Sequence, residues 1–121
     1  MNYASSAYAK VAREVAGPRE LEASLLLRAA SKLQGIVESW KEKRADLNEA
    51  LLFNRRLWTI LVDSVIQDDN RLPAELRENL KTLGAFVMCE TFSMMTKPQQ
   101  KHLDNLININ RRIAAGLRGR R

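Results

Sequence analysis

The residues best suited to covalent chemistry are few and isolated in this sequence. The chain has one cysteine, Cys89, and one histidine, His102, whereas catalysis needs an activated nucleophile, paired acids or a metal. A zinc site usually needs three or four cysteine, histidine or carboxylate ligands. No glycine-rich phosphate loop is present. We therefore expect no enzymatic activity, no catalytic or metal-binding residue and no cofactor. Cys89 is interpreted as a small apolar residue, and His102 as a polar residue near a helix end.

Two asparagines interrupt apolar helical patterns, and each is followed by two arginines. Asn54 precedes the arginines at 55–56, and Asn110 precedes those at 111–112. A buried amide has to be hydrogen-bonded, because leaving one unpaired costs roughly 1–3 kcal/mol. We predict that both asparagines are at least partly buried and help to pack their two helices. Two alternatives stay open: each amide bonds a local backbone carbonyl, or both line a partner-binding groove.

Apolar residues recurring at helical spacing predict the elements that position these side chains. The widest apolar pattern lies at 46–67, where Asp46 is a candidate helix cap, and it predicts a central helix. Further helices are predicted near 18–43, 73–95 and 98–116, with a weaker one near 3–16. Gly17-Pro18 is expected to separate the first two, and Gly35 to permit close helix packing. The fold class is therefore all-α: a single-domain bundle of about five helices over residues 1–117, followed by a tail at 118–121.

The composition is that of an ordinary globular protein, with 45% apolar and 28% charged residues in 121. No apolar run approaches the roughly 18 residues that a membrane span needs. The N-terminus lacks the basic and apolar regions of a secretory signal. We expect a cytoplasmic protein without a membrane partner.

The net charge of +6 arises mainly at the C-terminal end. Residues 111–121 contain five arginines and no acid, whereas residues 1–110 contain 15 basic and 14 acidic side chains. A nucleic-acid-binding domain usually spreads its basic residues over a face or groove. The tail is therefore interpreted first as a solvated end that folding does not require, with an anionic partner or RNA as alternatives.

The end of the fourth predicted helix is rich in soft apolar side chains. Methionine fills irregular gaps in cores and also lines adaptable binding surfaces, so both interpretations stay open. If a groove exists there, its candidate floor is formed by Met88, Phe92, Met94 and Met95. Two tyrosines of the weak first helix, Tyr3 and Tyr8, are candidates for a movable edge.

Four segments carry a resemblance to a known family. Residues 47–60, LNEALLFNRRLWTI, resemble the core motif of the FlaF family of alphaproteobacterial flagellar regulators. The segments PRELEA at 18–23, LPAEL at 72–76 and LININRRIAAGL at 106–117 are similar to its flanking sequences, in the same order. The resemblance covers nearly the whole chain. It brings no catalytic residues with it.

The resemblance implies a role in flagellin production and export. The implied function is a cytoplasmic chaperone that binds unassembled flagellin and promotes its synthesis, similar to FliS-type chaperones. The alternative is control of flagellin messenger RNA, either directly or with an FlbT-type regulator; direct RNA binding is the less favoured variant. The candidate partner-binding residues are Tyr3, Tyr8, Asn54, Arg55, Trp58, Met88, Phe92, Met94, Met95, Asn110 and Arg111.

Overall fold

The computed structural model describes the backbone of residues 3–119 and the side chains of residues 19–119. Helix α1 (Tyr3–Glu38) leads into a short α2 (Trp40–Lys43) and a 3₁₀ turn (Arg44–Asp46). Three long helices follow: α3 (Leu47–Val65), α4 (Ala74–Thr96) and α5 (Gln100–Leu117). No strand occurs within residues 3–119. The all-α prediction is confirmed.

The predicted number of helices needs a correction at Gly17-Pro18. The prediction of a break there is wrong, because α1 is one helix of 36 residues. Proline holds φ at about −65°, which a helix accepts, but it removes one backbone donor and its ring crowds the carbonyl four residues earlier, so α1 continues through Pro18 against a local cost. The helices predicted near 3–16 and 18–43 are thus a single element, which ends at Glu38 instead of residue 43. The bundle has four long helices rather than about five.

Helices α1 and α5 pack antiparallel along most of the length of α5. Three contacts give the register: Gln100 reaches the Val37 carbonyl, Asn110 the Leu26 carbonyl and Arg118 the Glu20 carboxylate. Helix α3 packs against both α1 and α4, and α4 meets α5 to close the ring. The core lies between these four helices, and its largest fully buried side chain is Trp58.

Helices α3 and α4 form a closely packed hairpin. A Cβ atom added to Gly84 would lie 2.5 Å from Cγ2 of Val62, so any larger residue here requires Val62 or the helix backbone to shift. At the turn, the Arg77 guanidinium donates to the carbonyls of Val65 and Gln67, each at 2.9 Å. The arginine on α4 therefore pairs the Val65 carbonyl at the last residue of α3 and the Gln67 carbonyl just beyond it, which also accepts from the Asn70 N–H at 3.1 Å.

Two local predictions about the second half of α1 and the start of α3 are wrong. A Cβ on Gly35 would meet only the Lys43 Nζ, at 3.8 Å, so Gly35 is not a close helix contact. Asp46 makes no capping hydrogen bond through its side chain. Its backbone is already helical because the 3₁₀ turn runs directly into α3, so the helix start needs no separate cap.

Arg118 is docked onto α1 and is not part of a free tail. Its Nη2 lies 2.7 Å from Oε1 of Glu20 and donates to Oγ of Ser24 at 3.0 Å. This contact contradicts a tail that is undocked from residue 118 onward, and the expectation that residues 118–121 are dispensable for folding stays a prediction. Arg120 and Arg121 lie outside the described residues, and the division into a domain and a tail stays a prediction.

Replacing Arg118 with alanine should lower the free energy of unfolding by about 0.5–1 kcal/mol, the range of a partly exposed ion pair. Removing only residues 120–121 should change it by less than ~0.5 kcal/mol. Thermal unfolding of both variants, at low and high salt, measures the difference. Equal stability of the alanine variant and the parent protein would contradict a stabilising role for the contact.

Candidate partner-binding surface

Asn54, Trp58 and Asn110 form one hydrogen-bonded network in the centre of the bundle. The Trp58 indole N–H donates to Oδ1 of Asn110 at 2.9 Å. The Asn110 amide donates to Oδ1 of Asn54 at 2.7 Å and to the Leu26 carbonyl at 3.1 Å. All three side chains are fully buried. The network therefore connects α1, α3 and α5 through a single amide, that of Asn110.

The predicted burial of both asparagines is confirmed, and the two amides meet directly. The alternative in which each bonds only its local backbone is wrong. Placing Asn54, Trp58 and Asn110 on a partner-binding surface also needs correction, since none of them has exposed area. Asn54 and Asn110 can lie in these apolar stripes because their amides hydrogen-bond to each other within the core, and Asn110 also accepts from Trp58. One donor, the Asn54 Nδ2, has no partner there.

The methionine-rich end of α4 divides between the core and the surface. Met94 is buried in the core, which corrects its proposed place in a groove floor. Met88 and Met95 are half-buried and pack against the core. Phe92 is 74% exposed, more than any other large apolar side chain within residues 19–119. Of the four candidates, Phe92 is the one whose ring is available to a partner.

An uncharged surface surrounds Phe92. We call the exposed side chains of α4 between residues 82 and 96 the α4 outer face. At ~1.5 Å per residue this face is roughly 21 Å long, about four helical turns. Its residues are Thr82, Ala85, Phe86, Cys89, Phe92, Ser93 and Thr96.

The α4 outer face differs from the exposed faces of its neighbours. The exposed residues of α3 include Glu49, Arg55 and Asp63, and those of α5 include Asp104 and Arg112. A four-turn helix face without a charge is unusual on a chain with 28% charged residues. Exposed apolar patches rimmed by polar residues often mark interaction sites.

Of the seven residues on this face, the candidates predicted from sequence include only Phe92, and the largest omissions are Phe86 and Cys89. Phe86 is 43% exposed and Cys89 is exposed, so the cysteine is a surface thiol rather than an apolar residue of the core. Their spacing gives a usable signal: residues 82, 85, 89, 92 and 96 recur at helical intervals and contain no charge. An apolar stripe does not reveal this face, because several of its residues, such as Thr82 and Thr96, are polar but uncharged.

Two of the remaining candidates, Arg55 and Arg111, lie on other helices and not on the α4 outer face. Arg55 is exposed on α3 and Arg111 is exposed on α5. Tyr3 and Tyr8 lie outside the described side chains. The structure therefore does not bring the nine described candidates together into one site, and any partner-binding role for Arg55, Arg111, Tyr3 and Tyr8 stays a prediction.

The ionisable groups His102, Glu22 and Glu78 interact with residues that lie outside the α4 outer face. His102 Nδ1 lies 3.1 Å from Oε2 of Glu90, which links α5 to α4. Burial raises the pKa of Glu22 on α1, with the nearby Arg19 opposing the shift. A hydrogen bond from Lys81 lowers the pKa of Glu78. None of these groups belongs to the α4 outer face.

Within residues 3–119, no helix combines the length and the apolar character needed to cross a membrane. The fold and its surface define a small helical bundle with one uncharged outer helix face. Residues 4–117 match the family model described as flagellar protein FlaF, and the chain belongs to that family. It has no match among curated proteins or among solved structures. The match spans all four long helices, so the family model corresponds to the whole bundle.

Proposed function

We propose that this flagellar protein binds unassembled flagellin in the cytoplasm, acts as its secretion chaperone and promotes its synthesis. The observation that carries the proposal is the α4 outer face, where Phe92 and Phe86 project from a surface without charge. Family membership supplies the flagellar context. A chaperone has to cover apolar helical surface on a monomer that would otherwise polymerise, and an uncharged helix face suits that task.

The α4 outer face has the dimensions for one amphipathic helix. A partner helix laid along roughly 21 Å would place apolar residues one turn apart over Phe92, Cys89 and Phe86. The half-buried Met88 and Met95 at its margin can adapt to the partner's shape. Stable complexes bury roughly 1,200–2,000 Å² in total, so flagellin would also contact the borders of this face.

Replacing Phe92 with serine should weaken flagellin binding at least tenfold, because an exposed aromatic side chain at the centre of an interface is a typical hot spot. Calorimetric titration with monomeric flagellin measures this effect. The matched control is Ile66→Ser, which removes another exposed apolar side chain, 51% exposed, from outside the face. It should leave the affinity unchanged.

The same titration separates apolar binding from charge-driven binding. The wild-type protein should show a negative heat-capacity change and similar affinities at about 0.05 M and about 0.5 M salt. Absence of flagellin binding, together with salt-sensitive binding of flagellin messenger RNA, would replace the proposal with RNA-level control. Flagellin binding that Phe92→Ser leaves intact would keep the function but remove this face from it.

A further inference from the structure

A second surface lies on the outward side of α3 and differs chemically from the α4 outer face. Leu52, Arg55, Arg56, Thr59 and Ile60 line a shallow depression there, which we call the α3 basic patch. Leu52 is 43% exposed and Ile60 is 59% exposed. They stand eight residues apart with Arg56 midway, so the patch is aliphatic at both ends and cationic in the middle.

The two arginines of this patch are available for an acidic partner. No carboxylate lines the depression. The ion pairs within residues 19–119 join Lys81 to Glu78, His102 to Glu90 and Arg118 to Glu20, and none involves Arg55 or Arg56. Two adjacent guanidinium groups with five donors each favour carboxylate recognition.

The aliphatic side chains argue against a nucleic acid as the ligand. Single-stranded RNA is bound by basic residues together with aromatic rings on which bases stack, and this patch has no aromatic residue. Its hydroxyl is also engaged, because Thr59 Oγ1 donates to the Arg55 carbonyl at 2.9 Å. Leucine and isoleucine instead match the apolar stripe of a protein helix.

We propose that the α3 basic patch binds an acidic amphipathic helix of a second protein, independently of the flagellin-binding surface. The acidic residues at the two ends of the α3 basic patch limit the length of the acidic segment that it can bind. Glu49 is exposed one turn before Leu52, and Asp63 is exposed one turn after Thr59. They would repel carboxylates beyond the patch, so the recognised acids lie within about 12 Å of helix, roughly two turns.

Two designed helical peptides of about 16 residues test the proposal. Both carry leucines on one face; one has glutamates beside them and the other has lysines at the same positions. Fluorescence anisotropy with the full chain should show the glutamate peptide binding at least tenfold more tightly, and salt should reduce the difference. The double variant R55E/R56E should reverse the preference. If the arginines only stabilised the fold, the double variant would not reverse the preference between the two peptides.

The matched control is R28E/K41E, which makes the same change in charge at exposed positions outside the patch. This control should retain the preference for the glutamate peptide. The proposal is overturned if both peptides bind equally, if the control also loses the preference, or if single-stranded RNA binds more tightly than the glutamate peptide through Arg55 and Arg56. Phe92→Ser should leave peptide binding intact, so failure of this proposal and of flagellin binding can be distinguished.

Discussion

Replacing Asn110 with alanine should lower the free energy of unfolding by about 3–5 kcal/mol. Its amide accepts from Trp58 and donates to Asn54 and Leu26, so the substitution removes three buried hydrogen bonds. The Trp58 indole N–H and the Asn54 Oδ1 would remain buried without partners. Alanine would also leave a cavity between α1, α3 and α5. Urea denaturation followed by tryptophan fluorescence, to which Trp40 and Trp58 both contribute, and by circular dichroism measures the loss.

Two companion substitutions show whether the network is the cause. Asn108→Ala removes an exposed asparagine two residues away on the same helix and should change stability by less than ~0.5 kcal/mol. Asn54→Ala should destabilise less than Asn110→Ala, because the Asn54 Nδ2 is already unpaired and only one hydrogen bond is lost. An Asn110→Ala protein as stable as the parent would contradict the network's importance.

Replacing Gly84 with alanine should lower the free energy of unfolding by about 1–2 kcal/mol. The new methyl group would lie 2.5 Å from Cγ2 of Val62, so α3 and α4 would have to separate or Val62 would have to leave its rotamer. Overpacking of this kind costs typically 1–3 kcal/mol. The better helix propensity of alanine, worth up to about 1 kcal/mol, offsets part of that loss. Thermal and chemical unfolding both report the result.

Gly116 is the matched control, because a Cβ there meets nothing within 4 Å. Gly116→Ala should therefore stabilise the protein by up to about 1 kcal/mol through helix propensity alone. Adding Val62→Ala to Gly84→Ala should recover part of the lost stability, since the clashing methyl group is removed. If the stability losses of Gly84→Ala and Val62→Ala simply add in the double variant, the clash between the two side chains is not the cause.

The sequence predicts the helices well because apolar residues recur at helical spacing in each long helix. Residues such as Leu51, Trp58 and Leu61 recur at helical spacing and all lie in the core. The breaks were harder to predict: Gly17-Pro18 carries both signals of a helix boundary, yet φ of proline is compatible with a helix. The glycine and the proline favour a helix boundary locally, but α1 continues through both residues.

The candidate site was less predictable, because the second half of α4 is uncharged or apolar on nearly every side. Met94 faces the core and Phe92 faces outward, as expected for residues two apart on a helix, but both are apolar and the pattern does not show which of them is buried. Periodicity identifies a core face only when the other face is polar. The Asn54–Asn110 contact was accessible from sequence because a polar residue in an apolar stripe is conspicuous. The arrangement of Phe92, Cys89 and Phe86 required the packing of α4 on α3 to be known.

The antiparallel pairing of α1 with α5 has a consequence for how the chain folds during synthesis. The Arg118–Glu20 contact joins residues 98 positions apart. Helix α1 therefore cannot form its main packing contact until α5 has been synthesised. Until α5 leaves the ribosome, the Trp58 indole N–H has no acceptor on Asn110. The α3–α4 hairpin, held by contacts close in sequence, can form earlier. Completion of the bundle therefore depends on the synthesis of α5, the last of the four long helices described.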